Sequence, residues 1–104
     1  IQRRRILYMK YNIYAGLGGG FGGAQLVAEA EEFENRDAAE SYAYECALEE
    51  YQSYEGCHGL VSYGDIRENP EDYGLEEGYT EEDVEEIYRE EVESWITYYV
   101  EEVK

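Results

Sequence analysis

Residues Met9 to Ala15 alternate. Met9, Tyr11, Ile13 and Ala15 share one parity, and Lys10, Asn12 and Tyr14 share the other. That is the period-two pattern of a half-buried strand. Gly16 to Gly23 follows with six glycines in eight residues, too permissive a backbone for a regular element. Ala24 to Phe33 reads two ways. Its alanines and glutamates favour helix, but a run ending in Phe33 just before a helix start also suits the second strand of a hairpin. Strand is the preferred reading. Asn35 is a fair helix cap. From Arg36 the apolar or small positions Ala39, Ala43, Cys46, Ala47, Tyr51 and Tyr54 keep helical spacing, and Gly56 ends the run. The alanines on this face predict a close approach to the sheet.

His58 to Gly78 is punctuated by Gly59, Gly64, Pro70, Gly74 and Gly78. Ser62 with Asp65 resembles a capping box and predicts one short helix through Arg67 or Glu68, which Pro70 forbids from continuing. Thr80 opens the clearest element: Thr80 can cap, Asp83 sits three residues on, and acids fill the first turn. Val84, Ile87, Tyr88, Glu91, Val92, Trp95, Tyr98 or Tyr99, and Val103 trace a stripe at three- and four-residue spacing. The spacing predicts a helix from about Glu81 to about Val103, roughly 34 Å long. The fold class expected is α+β: a small antiparallel sheet, the N-terminal hairpin, packed by two main helices, the C-terminal one long and acidic. A two-stranded hairpin alone is marginal, so another strand or a second copy of the chain is expected to complete the sheet, and a homodimer stays open.

Composition changes this picture at one point. The chain has 26 Asp and Glu against 8 Lys and Arg, a formal charge of −18. Like charges at this density destabilise a compact state, so a folding requirement does not account for them. Aromatic residues make up 15% of the chain, whereas a disordered acidic tail is poor in them; the chain is read as folded, with its acid outside. The acid is 22 Glu and 4 Asp, the type that decorates helices, and the scarcity of Asp argues against a halophilic surface. Ile1 to Tyr8 holds three of the basic residues and no acidic one. It is read as a non-native or flexible leader ahead of Met9, because Arg3-Arg4-Arg5 can be encoded by the purine-rich AGG repeats of a bacterial ribosome-binding sequence. A genuine basic arm is the rival reading. Residues 9–104 are then one domain in which five basic residues face all 26 acidic ones.

Candidate chemistry is thin. Gly18, Gly20 and Gly23 match a dinucleotide fingerprint formally, but six glycines in eight residues make the match nearly automatic, and a negative field repels pyrophosphate. The loop is read instead as a flexible hairpin connection or as a carrier of an anchoring Phe21. Cys57-His58 is no catalytic dyad, since chain neighbours diverge and no third residue orients the histidine. Zinc needs more nitrogen and sulfur ligands, and no EF-hand loop is present for calcium. No enzyme activity, cofactor or metal is expected. Cys46 and Cys57 make no disulfide framework. No run of about 18 apolar residues occurs. A soluble, cytoplasmic protein that binds neither membrane nor nucleic acid directly is expected.

The charge therefore points to a basic protein partner. On the predicted helix, Glu81 to Glu102 supplies ten carboxylates against Arg89 and Lys104, forgoing the Glu–Lys pairs that stabilise ordinary helices. Duplex DNA presents about 20 phosphates over the same 34 Å, a density of the same order. The residues expected to meet the partner are Glu71, Asp72, Glu76, Glu77, Glu81, Glu82, Glu85, Glu86, Glu90 and Glu93, with Phe21 and Tyr98 as aromatic anchors. In size, charge and aromatic content the chain is similar to small anti-restriction and anti-CRISPR proteins of phages and mobile elements. The acidic segment Glu81 to Glu102 carries that resemblance, which is compositional. Such proteins share no common fold, so no residue role carries over. The resemblance implies a mode of action: occupying the nucleic-acid channel of a bacterial defence nuclease. The alternative is a non-enzymatic phage accessory or structural interaction module whose charge serves solubility or assembly.

Overall fold

The computed structural model describes residues 8–104. The leader expected at residues 1–8 lies, Tyr8 apart, outside the described residues. Strand β1 (Met9–Leu17) pairs antiparallel with β2 (Gly23–Phe33), as the hairpin reading predicts. Helix α1 (Arg36–Tyr54) follows, then α2 (Tyr63–Glu68), a 3₁₀ turn at Pro70–Tyr73, α3 (Glu81–Trp95) and β3 (Ile96–Val103). The sheet order is β2-β1-β3, and both pairings are antiparallel. The fold is α+β.

The C-terminal helix is shorter than predicted. It stops at Trp95, and the expected last turns, Ile96 to Val103, form β3 against β1 from Leu17↔Ile96 to Lys10↔Val103. Ile96-Thr97-Tyr98-Tyr99-Val100 consists of β-branched and aromatic residues, which fit a pleated surface better than a helix. The third strand also completes a hairpin that is marginal alone. The chain supplies that strand itself, so the sheet needs no second copy for its completion.

On β1, Tyr11, Ile13 and Ala15 are buried, as the alternation predicts, while Met9 of the same parity is exposed, and Leu17, read as part of the irregular glycine segment, continues the buried face. Against them lie Ala39, Ala43, Ala47 and Tyr51 of α1, each with no exposed surface. Tyr11, Ile13, Val100, Ala39 and Ala43 form one core cluster under the sheet. A second joins Leu17, Tyr51, Leu60, Ile66, Val84, Tyr88 and Val92 where the helices meet. β2 is irregular: its register with β1 shifts twice between Tyr11 and Tyr14, and Ala30 adopts φ 51. The Asn12 side chain accepts a hydrogen bond from the Ala30 amide at 2.9 Å, which gives the displaced N–H a partner.

The glycine segment is ordered by contacts, contrary to the flexible connection expected. β1 runs on through Leu17 and β2 starts at Gly23, with a 3₁₀ turn at Gly19–Phe21 between them. Gly18 donates to the Trp95 carbonyl at 2.8 Å. A Cβ at Gly19 would sit 3.3 Å from the Trp95 ring, and one at Gly16 only 2.3 Å from the Gly23 carbonyl oxygen. Gly16→Ala is therefore expected to cost about 2 kcal/mol or more through backbone displacement. Gly20 has nothing within 4 Å of a built Cβ and no positive φ, so Gly20→Ala should leave stability within about 0.5 kcal/mol. Urea unfolding of the two variants checks both values; equal midpoints would overturn the account of this turn.

Candidate functional site

Thr80 and Asp83 start α3 with a reciprocal capping box: Thr80 Oγ1 accepts from the Asp83 amide at 3.3 Å, and Asp83 accepts from the Thr80 amide at 2.9 Å. Glu81 and Glu82 join Asp83 in the first turn, where the helix dipole favours negative charge. Farther along, Glu82/Glu86 and Glu86/Glu90 are like-charge pairs four residues apart, each costing a few tenths of a kcal/mol. Burial offsets that cost. Val84, Tyr88 and Val92 form the buried stripe, and burying such side chains contributes about 1.5–3 kcal/mol apiece.

Tyrosines fix α3 in place. Tyr63 stacks on Tyr88 with centroids 4.0 Å apart, and Tyr51 meets Tyr88 edge-on at 5.8 Å. Tyr88 donates to Glu55 at 2.5 Å and Tyr51 donates to the Val61 carbonyl at 2.6 Å. With its inner face held by α1 and α2, α3 turns the rest of its surface outward.

All ten carboxylates expected at the interface are exposed: Glu71, Asp72, Glu76, Glu77, Glu81, Glu82, Glu85, Glu86, Glu90 and Glu93. Two ion pairs occur among the described residues, Arg36 with Glu40 and Arg67 with Glu81. Only Glu81 of the ten is thus neutralised by a neighbour. The loop before α3 adds shape. Gly74 adopts φ 75 and donates to the Glu71 carbonyl, and Leu75 donates to that of Pro70. This folding leaves a cleft of about 380 Å³ lined in part by Glu76, Glu77, Tyr79 and Asp83. A second, of about 450 Å³, is bordered by Glu71, Glu76, Glu77 and Tyr79.

The two aromatic anchors are placed differently from expectation. Phe21 is half-buried and packs on its own chain, 5.0 Å from the Tyr54 ring and 6.0 Å from both His58 and Trp95. Its position spends most of the ring on internal packing. Tyr98 lies on β3, not on a helix, and meets Tyr44 of α1 edge-on at 5.6 Å. It stays exposed there. Glu101 and Glu102 are likewise strand residues, which separates them from the acidic helix. Cys46 and Cys57 are free thiols, and the His58 ring faces Phe21 and Tyr54. Among the described residues no group of three His, Cys, Asp or Glu is placed to hold a metal, and no helix is long and apolar enough to cross a membrane.

One acidic surface escapes sequence reasoning. Asp37, Glu40, Ser41, Tyr44 and Glu45 of α1 and Tyr98 of β3 line a cleft of about 490 Å³. The three- and four-residue spacing of the helical members marks one flank of α1. Nothing in the sequence places a strand beside that flank once Tyr98 is read as helical. Comparison with protein-family models, with curated proteins and with solved structures gives no match for this chain.

The tyrosines that hold α3 make stability depend on alkaline pH. Burial pushes the Tyr51 hydroxyl up to about 12. Burial, then the hydrogen bond to Glu55, also raises Tyr88. An unfolded tyrosine ionises near pH 10, so above that pH the unfolded chain releases protons that the folded chain retains. The contribution is whole below about pH 10 and falls as pH rises toward about 12. Tyr51→Phe should flatten this fall while lowering stability at neutral pH by about 1 kcal/mol for the lost hydrogen bond. Urea midpoints measured at about pH 8, 10 and 11 report both effects; an unchanged slope would exclude Tyr51 as a source.

Proposed function

We propose that the chain is an acidic inhibitor that occupies the nucleic-acid-binding surface of a basic protein, with a bacterial defence nuclease in the host cytoplasm as the target class. The observation that carries this reading is the exposure of all ten carboxylates from Glu71 to Glu93, with one ion pair among them. α3 spans 15 residues, about 22 Å, along which duplex DNA presents about 13 phosphates. Six exposed carboxylates lie on that helix, at Glu81, Glu82, Glu85, Glu86, Glu90 and Glu93, and four more lie on the loop before it. The shorter helix mimics a shorter duplex at a comparable charge density.

A rigid mount favours the same reading. The Tyr51–Tyr88–Tyr63 packing and the capping box hold the carboxylates on a preorganised helix, which lowers the ordering cost of association. Capture by opposite charge accelerates encounter and weakens with salt. Tyr79 and Tyr98, both exposed, add aromatic contact area of the kind enriched at interfaces.

The test is competition. The chain is titrated into complexes of labelled duplex DNA with restriction and RNA-guided nucleases, and DNA release is followed by anisotropy. Release is expected at low salt and should weaken steeply as salt rises. Replacing Glu82, Glu85, Glu86 and Glu93 by lysine should reduce it at least tenfold. Folding of that variant is verified by circular dichroism. Displacement that ignores both salt and charge reversal would sink the reading and favour an accessory role in which charge serves solubility or assembly.

A further inference from the structure

We propose that the outer edge of β3 and the cleft beside it form a docking groove for an extended basic segment of a partner protein, added as a fourth strand. The proposal shares with the preceding reading only the basic character of the partner, and it concerns a different surface.

β3 is an edge strand. Such edges present unpaired N–H and C=O groups, and proteins usually blunt them with bulges, prolines or charges. The two edges of this sheet differ in that respect. β2 carries two register shifts and Ala30 at positive φ. β3 pairs with β1 in unbroken register and has no proline or glycine, and its two charges, Glu101 and Glu102, leave Ile96 to Val100 uncharged.

The cleft lies along the flank of α1 that overlooks β3. Farther toward the C-terminus the same flank, at Tyr44, Leu48 and Gln52, faces Glu85, Tyr88, Arg89 and Val92 of α3 across a smaller cleft of about 240 Å³. Its N-terminal half is left open beside Tyr98. A helix flanking an open strand edge is a geometry in which an added strand gains main-chain hydrogen bonds from the edge and seats alternate side chains in the groove.

Charge selects the occupant. Asp37, Glu40 and Glu45 line the cleft. Glu40 is paired with Arg36, which also donates to the Val100 carbonyl of β3; Asp37 and Glu45 have no ion pair among the described residues. They lie about 12 Å apart along the helix. Side chains four residues apart on one face of a strand lie about 13.5 Å apart, so one added strand can bring a basic side chain to each. The rings of Tyr44 and Tyr98 offer faces for a guanidinium or ammonium group. A second copy of the chain fits worse, because pairing β3 with β3 would bring another set of Asp37, Glu45, Glu101 and Glu102 to a surface that is already negative.

The experiment uses the full chain and two synthetic peptides of equal length, one alternating arginine with valine and one alternating glutamate with valine. Amide hydrogen exchange is read by NMR. The arginine peptide should slow exchange at alternate amides of Ile96–Val103, and the glutamate peptide should not. D37N/E45Q should weaken binding of the arginine peptide about fivefold through two lost, solvent-screened charge pairs. The α3 charge-reversal variant should keep the same pattern of β3 protection. That separates this groove from the nuclease-facing surface, whose failure appears only in the DNA-release assay. Absence of β3 protection, equal protection by both peptides, or unchanged affinity of D37N/E45Q would overturn the proposal. A dimer in sedimentation with β3 protected before peptide is added would also overturn it, assigning the edge to a second copy.

Discussion

Leu17 faces Ile96 across the sheet, and the pairs that follow, through Lys10 and Val103, decide most other placements in the molecule. They make β1 a central strand, so its buried residues are covered on both sides within the sheet. They require α3 to end at Trp95, because the next residue already belongs to the ladder. They carry Val100 under Ala39 and Ala43, and they bring the Trp95 carbonyl to Gly18. The glycine segment is shaped by this junction: bulkier residues at Gly16 or Gly19 would meet the Gly23 backbone or the Trp95 ring. A turn rich in glycine is here a packing requirement more than a source of motion.

A chain of this charge folds because the carboxylates and the core barely compete. No polar or charged residue is buried among the described residues, so no carboxylate carries a large desolvation cost. Alanine on α1 draws helix and sheet close, while tyrosine on α1, α2 and α3 fills the wider space between helices. Each of the three buried phenols has an acceptor, the Met9 sulfur for Tyr11, the Val61 carbonyl for Tyr51 and Glu55 for Tyr88. Repulsion is confined to the surface, where solvent and salt reduce it.

Much of the fold is legible from local rules. The alternation of Met9 to Ala15, the Asn35 cap, the Ser62–Asp65 and Thr80–Asp83 capping boxes and the alanine face of α1 all correspond to observed features. These signals are local, so a local reading finds them. The end of α3 is not local. Glutamate at 101 and 102 favours helix, and Tyr98, Tyr99 and Val103 satisfy helical spacing as readily as they satisfy strand alternation. Pairing with β1, some eighty residues away in sequence, decides between them. The exposed carboxylates were legible because they are many and their helix is strongly capped. The α1 cleft was not, because it exists only once a strand lies beside Asp37 and Glu45. The internal packing of Phe21 was hidden for the related reason that an isolated aromatic in a glycine run looks free until Trp95 and Tyr54 are placed around it.

The same repulsion gives association an energetic consequence. In the folded state Glu82, Glu86 and Glu90 are held on one preorganised helix, whereas an unfolded chain spreads them apart. A cationic surface that engages the helix therefore relieves a strain specific to the folded state, and by linkage anything that binds the folded form preferentially stabilises it. Mixed-sign charges on α3 would remove both the strain and its relief. The nearly uniform sign of this helix therefore costs stability in the free protein, and under the proposed reading a basic partner would return it. Such a coupling would separate charge kept for association from charge kept for solubility, because interspersed charges serve solubility without the repeated like pairs along one helix.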